Sequence, residues 1–545
     1  MLGRCLRSPR VWWFGLWGLA VLLRLGVMLA RPDQMTIDRD LYLGIATELR
    51  EGHGYSTPGS EPPTPTAFRP PLYPWLLVLA GGSSTGMAVL HLLLAVVMVQ
   101  ATGCAAERLA GEVSPFAKLL AGGIVALDPL LLLYSGQPMT ETLCSCLTAV
   151  LLWRLASAEQ TPRGALIEGA VWGLCLLSRP TYAAALGLCV VGRVWLRPGG
   201  RESSNEPANT ETGPRLRFGL LVGVTALVVV SPWAIRNWLI FGKPITTTTH
   251  GGYTLWLANN PVYYAEVVEG GDAAWNGESL HRWQSETNAE MDRLHIQGEV
   301  ARDRWQAARA QQFIANHPGR FVRAGLYRAG TFWSIFPGRT AETGVPVPML
   351  WIIAIGYAAL WVGGVVALGR LWRLGHWAKL WPGLSLILGF FIVHLIYWTD
   401  ARMRAPIMPA VALFVAVGCR GWRATSPNEQ RASGDSGSLS PAIDVTMTQQ
   451  LHCGGEGEGP HERHKPPHPG PLPTVESSDT AAPNVGERGP SRYLFADDPS
   501  FHTFPFRKDS HVKQQIPTRH HSGGWQRHSA LPGHDRRQQA TDADL

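Results

Sequence analysis

The sequence predicts an all-α polytopic membrane protein followed by a polar tail that does not fold. Long apolar runs recur up to about Cys419, many of them near the ~20 residues that cross a bilayer. Mean hydropathy is only +0.01 although 46% of the 545 residues are hydrophobic, so the average conceals two unlike parts. Composition then changes abruptly: beyond about Trp422 the chain is rich in Gly, Pro, Ser, Gln and His, with ten of the 18 histidines. Such a segment buries too little apolar surface to offset chain entropy. The expected division is a membrane domain over 1–421, with external loops at 31–72 and 237–345, and a disordered low-complexity tail over 422–545.

Span one covers about 11–30 and follows Arg4, Arg7 and Arg10, which the positive-inside rule assigns to the cytoplasm. The run is long for a signal-peptide core and Arg31-Pro32 follows it without a small-residue cleavage site, so an uncleaved helix is expected. Leu72 to Ala80 is apolar but short, and the glycines from Gly81 break it; it reads as an interfacial or re-entrant piece. Spans two to five follow at about 87–106, 116–134, 139–156 and 165–178. Span six returns by Arg197 to a polar loop with Arg201, Arg215 and Arg217, and span seven, about 218–235, exits at Pro232-Trp-Ala-Ile-Arg-Asn237. In the large loop, Ser279 to Phe313 reads as soluble helix. Spans eight (347–369) and nine (381–398) flank a basic turn with Arg370, Arg373, His376 and Lys379, and span ten (405–421) follows Asp400-Ala-Arg-Met-Arg404. The sum is about ten transmembrane helices in a multi-pass protein of the cell (inner) membrane, with the N-terminus and tail cytoplasmic.

The net charge of +7 is carried by these inner loops. No zinc-finger spacing occurs, and no basic helix with interleaved aromatics stands clear of a span, so nucleic acid is not an expected partner. Most of the eight cysteines fall in apolar runs, where free Cys behaves as a small hydrophobe, and no disulfide framework is evident.

The topology places Asp38, Asp40, Glu141, Arg179, Arg236 and the Asp400 to Arg404 segment together on the outer side. Carboxylates are costly near hydrocarbon and usually mark a pathway or a chemical site. Asp40 suits the N-cap of a helix through Tyr42 to Leu49. Asp38 has no evident structural duty and is the candidate general base, against the plainer reading of a solvated loop acid. Glu141 is either a first-turn helix acid or a second acid facing Asp38. Arg69, Arg179, Arg236, Arg402 and Arg404 either snorkel to headgroups or gather to bind a phosphate, for which guanidinium is suited. Asn259-Asn260-Pro261 is turn chemistry with amides able to meet a sugar. His394 is read as a packed or pore-side histidine. Walker-type, His-Glu-x-x-His, Gly-x-Ser-x-Gly and dinucleotide patterns are all missing from the sequence.

Several short motifs then occur in order: Asp38-x-x-x-Tyr42-x-x-Ile-Ala, Gly52-His-Gly-Tyr55, Phe68-Arg-Pro-Pro-Leu-Tyr-Pro74, Ser135-Gly-Gln-Pro-Met-Thr-Glu141 and Leu177-Ser-Arg-Pro180. Pro232-Trp-Ala-Ile-Arg-Asn237, Phe241-Gly, Asn259-Asn-Pro261 and Arg402-Met-Arg-Ala-Pro406 follow. Over about residues 11–421 the chain resembles the bacterial branch of the protein O-mannosyltransferase and aminoarabinose-transferase superfamily, the GT-C glycosyltransferases. The resemblance implies a GT-C-like bundle and inverting transfer, on the external face, from a polyprenyl-phosphate-linked sugar to a lipid, glycan or protein acceptor. It implies catalytic work for Asp38, with Asp40 and Glu141 as companion acids. It implies substrate contacts from Tyr42, Arg69, Tyr73, Arg179, Arg236, Asn237, Asn259, Asn260, Arg402 and Arg404. The family often carries a second acid directly after the first, where this chain has Arg39. No cofactor is required for an activated donor, and no metal-ligand set argues for the divalent cation that the chemistry would allow. The alternatives are a transporter or flippase for a lipid-linked or anionic substrate, for which internal repeats would be expected, and an assembly protein whose large loop binds partners.

Overall fold

A computed structural model describes residues 9–110, 115–157, 161–195, 212–270, 275, 278–336, 345–375 and 377–420. All of them belong to one unit, Met1–Pro441; the expected tail over 422–545, Arg201 and His376 lie outside the described residues. The architecture is all-α. Among the described residues the β structure is one bridge, between Ser56 and Pro65.

Helix α1 is Pro9–Ala30, and it ends where Arg31 precedes Pro32, a position that disfavours helical geometry. A first extramembrane loop carries α2, Tyr42–Arg50, and α3, Leu72–Leu79. Eight residues at ~1.5 Å each cannot cross a bilayer, as expected for this stretch. Helix α4 is Ser84–Leu109. The expected third span is two helices, α5 (Pro115–Leu127) and α6 (Pro129–Ser135), bent by 52°. Pro129 cannot continue the ladder, and the Asp128 carboxylate accepts from Leu131 N at 2.9 Å to start α6. Helices α7 (Glu141–Leu155), α8 (Pro162–Ser178) and α9 (Tyr182–Trp195) follow. Helix α10 runs Thr212–Phe241 straight through Pro232. The expected exit at Pro232-Trp-Ala-Ile-Arg-Asn237 thus falls within the last turns of this helix, and Pro inside a spanning helix is tolerated where neighbours satisfy the freed groups.

The large loop contains α11 (Gly251–Ala258), a π-helical turn over Tyr263–Glu269, α12 (Glu278–Arg293), α13 (Glu299–Asn316) and α14 (Pro318–Phe332). Helices α15 (Val347–Arg373) and α16 (Trp377–Ile396) come next, and a 3-10 turn, Ala401–Ile407, leads into α17, Met408–Arg420. Among the described residues six helices are long and apolar enough to cross a membrane, or seven if the bent pair is one span. Helices α7, α8 and α9 stand where spans four to six are expected but have only 15, 17 and 14 residues.

Three fully buried arginines hold broken or ending helices. Arg24 donates to the carbonyls of Val125 and Ala126, in the last turn of α5. Arg404 donates to Phe332 O at 3.0 Å and Ser334 O at 2.6 Å, closing α14. Arg328 donates to Ala258 O at 2.9 Å and Leu395 O at 2.8 Å, closing α11 and α16. Each meets carbonyls that a helix end leaves without partners, away from any water that could serve instead. His394 is likewise packed, its Nδ1 3.2 Å from Trp398 O and its ring stacked on Phe332.

Candidate functional site

The first loop delivers two acids in opposite directions. Leu41, between Asp40 and α2, has a φ of 62°, a left-handed conformation that costs on the order of 1 kcal/mol for such a residue. The turn sends the Asp38 carboxylate back onto α2, where Oδ2 accepts from Gly44 N at 2.7 Å. Gly44 is needed there: a Cβ would lie 2.6 Å from Pro58 Cγ. The capping expectation is thus corrected, because Asp38 and not Asp40 satisfies the amides at the start of α2. Asp38 Oδ1 is buried and has no hydrogen-bond partner. Burial raises the Asp38 pKa above the usual carboxylate value, against the pull of the Gly44, Leu43 and Tyr42 amides.

Asp40 turns the other way. Its Oδ1 accepts from Arg69 Nη2 at 2.8 Å, its backbone oxygen from Arg69 Nε at 2.8 Å, and its Oδ2 from Arg402 Nη1 at 3.3 Å. Burial alone would raise this carboxyl, but Arg69 and then Arg402 outweigh it and hold it well below the usual range. Arg69 is steadied on the rings of Phe68 and Tyr42, at 5.0 and 5.5 Å from their centroids. Glu141, the first residue of α7, receives Arg179 Nη2 on Oε1 at 2.9 Å, with Arg402 Nε 4.0 Å from the same oxygen. Asp400 Oδ2 lies 3.4 Å from that Nε. Acids and arginines alternate from Arg69 through Asp40, Arg402 and Glu141 to Arg179. Glu141 is 1% exposed and its Oε2 has no hydrogen-bond partner.

Tyr42 and Tyr73 meet edge to face at 5.2 Å. Tyr73 is fixed by His91: its hydroxyl is 2.8 Å from His91 Nε2, and His91 Nδ1 is 2.7 Å from Ser135 O. A carbonyl only accepts, so Nδ1 carries the proton and a neutral ring takes the Tyr73 proton at Nε2. The Tyr73 oxygen is left as an acceptor.

The other expected substrate contacts lie in structural roles. Arg236 donates to Thr66 O at 2.7 Å and Tyr55 O at 2.8 Å, and to Asn237 Oδ1 at 2.8 Å, which pins the first loop to α10. Asn237 Nδ2 closes the next turn on Ile245 O at 2.9 Å. Asn259 bridges Leu255 O and Ile396 O and accepts from the Tyr264 hydroxyl, while Asn260 caps the turn by accepting from Tyr263 N at 2.8 Å. Arg404 faces α14 and the rings of Tyr357 and Trp361. The structure therefore brings together Asp38, Asp40, Tyr42, Arg69, Tyr73, Glu141, Arg179 and Arg402, and places Arg236, Asn237, Asn259, Asn260 and Arg404 around them as supports.

Two members have no signal in the sequence. His250 sits edge-on to Phe68 at 4.4 Å, within electrostatic reach of Arg69, Asp40 and Arg402. Burial and Arg69 keep it far below its ordinary pKa, and so neutral. Glu299, the first residue of α13, accepts from Ala67 N at 2.9 Å and Thr66 Oγ1 at 2.6 Å, and from the Thr249 hydroxyl. It ties the large loop to the stretch that carries Arg69 across 232 residues. No spacing rule could pair them. Among the described residues, the grouping able to offer three metal ligands is Glu48, Glu51 and His53, at the far end of α2. It is compatible with a divalent cation, although Glu48 is already engaged by Gly59 N at 3.0 Å and His53 Nδ1 at 2.8 Å.

No protein-family model matches the chain, and no curated protein matches it. Solved structures do. An archaeal oligosaccharyltransferase, AglB from Archaeoglobus fulgidus in complex with an inhibitory peptide and a dolichol-phosphate, is 12% identical, with a TM-score of 0.41 over 80% of this chain and 53% of that one. The apo form of the Archaeoglobus fulgidus oligosaccharyltransferase gives a TM-score of 0.44 at 12% identity, over 79% of this chain and 53% of that one. ArnT from Cupriavidus metallidurans, bound to undecaprenyl phosphate, is 13% identical, with a TM-score of 0.34 over 82% of this chain and 84% of that one. The chain spans about half the length of the archaeal proteins.

Proposed function

We propose that this protein is a membrane glycosyltransferase of the GT-C kind, moving a sugar from a polyprenyl-phosphate donor to an acceptor hydroxyl with inversion, on the external face of the cell membrane. The observation that carries the reading is the division of labour between the two loop acids. Asp38 keeps one buried, unpartnered oxygen and is raised by burial, which suits a base; Asp40 is committed to two arginines, which suits an anchor.

In this reading Asp38 Oδ1 takes the proton of the acceptor hydroxyl as its oxygen attacks the anomeric carbon from the side opposite the phosphate. The bond from that carbon to the phosphate oxygen breaks, its electrons stay on the phosphate, and polyprenyl phosphate departs. This is a single displacement of the kind inverting sugar chemistry uses, with a hydroxyl in place of water. Arg69, Arg179 and Arg402, held in place by Asp40 and Glu141, lie near the developing charge without leaving their carboxylates. Tyr73, its proton committed to His91, offers an acceptor to a sugar hydroxyl.

Asp38→Asn is the test, because an amide oxygen still caps α2 about as well as a carboxylate. Sugar transfer should fall by about 10² to 10⁴, while thermal stability and binding of the lipid donor hold. In the parent, the acid limb of the pH–rate profile should lie above the ordinary aspartate value of about 3.9. Transfer by the Asp38→Asn variant at the parent rate would remove Asp38 as the base.

A further inference from the structure

The basic residue that stands between the two acids of the first loop, Arg39, has no part in the arrangement so far. Its side chain is exposed and, among the described residues, makes no hydrogen bond or ion pair. The arginines beside it are all engaged: Arg69 and Arg402 hold Asp40, and Arg179 holds Glu141. With every group ionised, the carboxylates of Asp38, Asp40, Glu141 and Asp400 outnumber the guanidiniums of Arg69, Arg179 and Arg402 by one charge. His250 is neutral and does not change that sum.

A phosphodiester brings one more negative charge. Entering a cluster already negative by one, it would be repelled, and drawing both Arg69 and Arg402 away to meet it would strand Asp40 in a buried place, which is strongly unfavourable. Arg39 brings the cluster without its ligand to zero, and leaves it one charge negative instead of two once the phosphodiester is in place. It also lies at the right place, directly between Asp38 and Asp40 in the first loop, with its side chain exposed beside both acids. An exposed arginine can reorient as the ligand arrives, and its planar fork fits two phosphate oxygens.

We propose that Arg39 is a further binding residue of this site, taking the phosphate group of the lipid-linked donor while Arg69, Arg179 and Arg402 stay matched to their carboxylates. The proposal rests on the transferase reading given above. The chemistry recognised is a phosphate carried on a long prenyl chain; bulk anionic headgroups offer a similar group, so the test separates the two.

The full-length protein in phosphatidylcholine nanodiscs is titrated with undecaprenyl phosphate and with undecaprenol, for the parent, Arg39→Gln, Arg39→Lys and Arg39→Glu. The parent should prefer the phosphate. Arg39→Gln should weaken undecaprenyl phosphate binding about tenfold, as expected for losing a hydrogen bond between charged groups. Arg39→Lys should lose less, Arg39→Glu more, and undecaprenol binding should not move. Unchanged phosphate binding in Arg39→Gln overturns the proposal, and so does an equal loss for undecaprenol. If phosphatidylglycerol in the disc abolishes the difference between parent and Arg39→Gln, Arg39 serves bulk headgroups and the proposal fails. A parent that does not distinguish the phosphate from the alcohol removes the transferase reading itself.

Discussion

Asp38 and Asp40 are two residues apart and live under opposite electrostatics. The folded Asp40 carboxyl sits below its unfolded value. Its ion pairs therefore stabilise the protein at any pH above the ordinary carboxylate range, and that contribution is lost only as pH falls toward the depressed folded value. With side-chain exposures of 17% for Asp40, 14% for Arg69 and 15% for Arg402, the cluster is largely shielded from water. Asp40→Asn should cost about 3 kcal/mol, since it leaves two arginines facing a neutral amide. The measurement is a thermal melt in detergent at neutral pH. Asp40→Asn should melt well below the parent, and an unshifted melt would mean that the arginines find other partners. The sequence located both acids because carboxylates at a membrane rim are conspicuous, but it assigned the helix cap to the wrong one. The reason is Leu41: its left-handed turn reverses which acid faces α2, and nothing in its identity announces that conformation. The arginines divide in the same way. Arg402 and Arg404 are two residues apart, yet one joins the acids and the other closes α14.

At the scale of elements, helix positions were legible where apolar runs met punctuation, as at Arg31-Pro32 and the glycines after α3. The failures were at prolines inside apolar runs. Pro129 breaks its helix because Asp128 and Arg24 receive the freed groups, whereas Pro232 leaves α10 continuous. Which outcome holds depends on side chains far along the chain. The junction between the two extramembrane loops is of the same kind. Glu299 at the start of α13 holds Thr66, Ala67 and Thr249, and Arg69 lies two residues beyond Ala67. Glu299→Gln removes the charge from these bonds and leaves an amide to serve amide and hydroxyl donors, at a cost of about 1 to 2 kcal/mol. Hydrogen exchange should then speed up over residues 64–70 and around Thr249 but not in α4 or α17. Exchange unchanged at Ala67 would show that α13 does not hold the loop.

The whole molecule has two unlike ends. At one, Lys118 pairs with Glu107 at 3.0 Å, Arg108 donates to Trp153 O at 3.1 Å, Arg193 pairs with Glu168 at 2.7 Å and Arg370 donates to Gly418 O at 3.2 Å. At the other, the loops carrying Asp40, Arg69 and Glu299 meet the start of α7 and the end of α8. A raw count of arginines does not separate these ends, because Arg69, Arg179, Arg236 and Arg402 crowd the second. Pairing does not separate them either, because Lys118, Arg108, Arg193 and Arg370 at the first end are answered by carboxylates or carbonyls too, so it is the basic loops of the sequence that predict a cytoplasmic first end. The contact between Thr66 and Glu299 also requires both loops to lie on one side of the membrane, whichever side that is. Single cysteines at Glu61 and Glu286, exposed points of these loops, and at Arg163 and Arg373, exposed near the opposite end, test both statements in a cysteine-free background. An impermeant maleimide on intact spheroplasts should label Glu61→Cys and Glu286→Cys, and should reach Arg163→Cys and Arg373→Cys only after permeabilisation. The reverse pattern would invert the assignment and move the site to the cytoplasm. Labelling of Glu61→Cys and Glu286→Cys from different sides would contradict the fold itself, because it would require the Glu299 contact to pass through the bilayer.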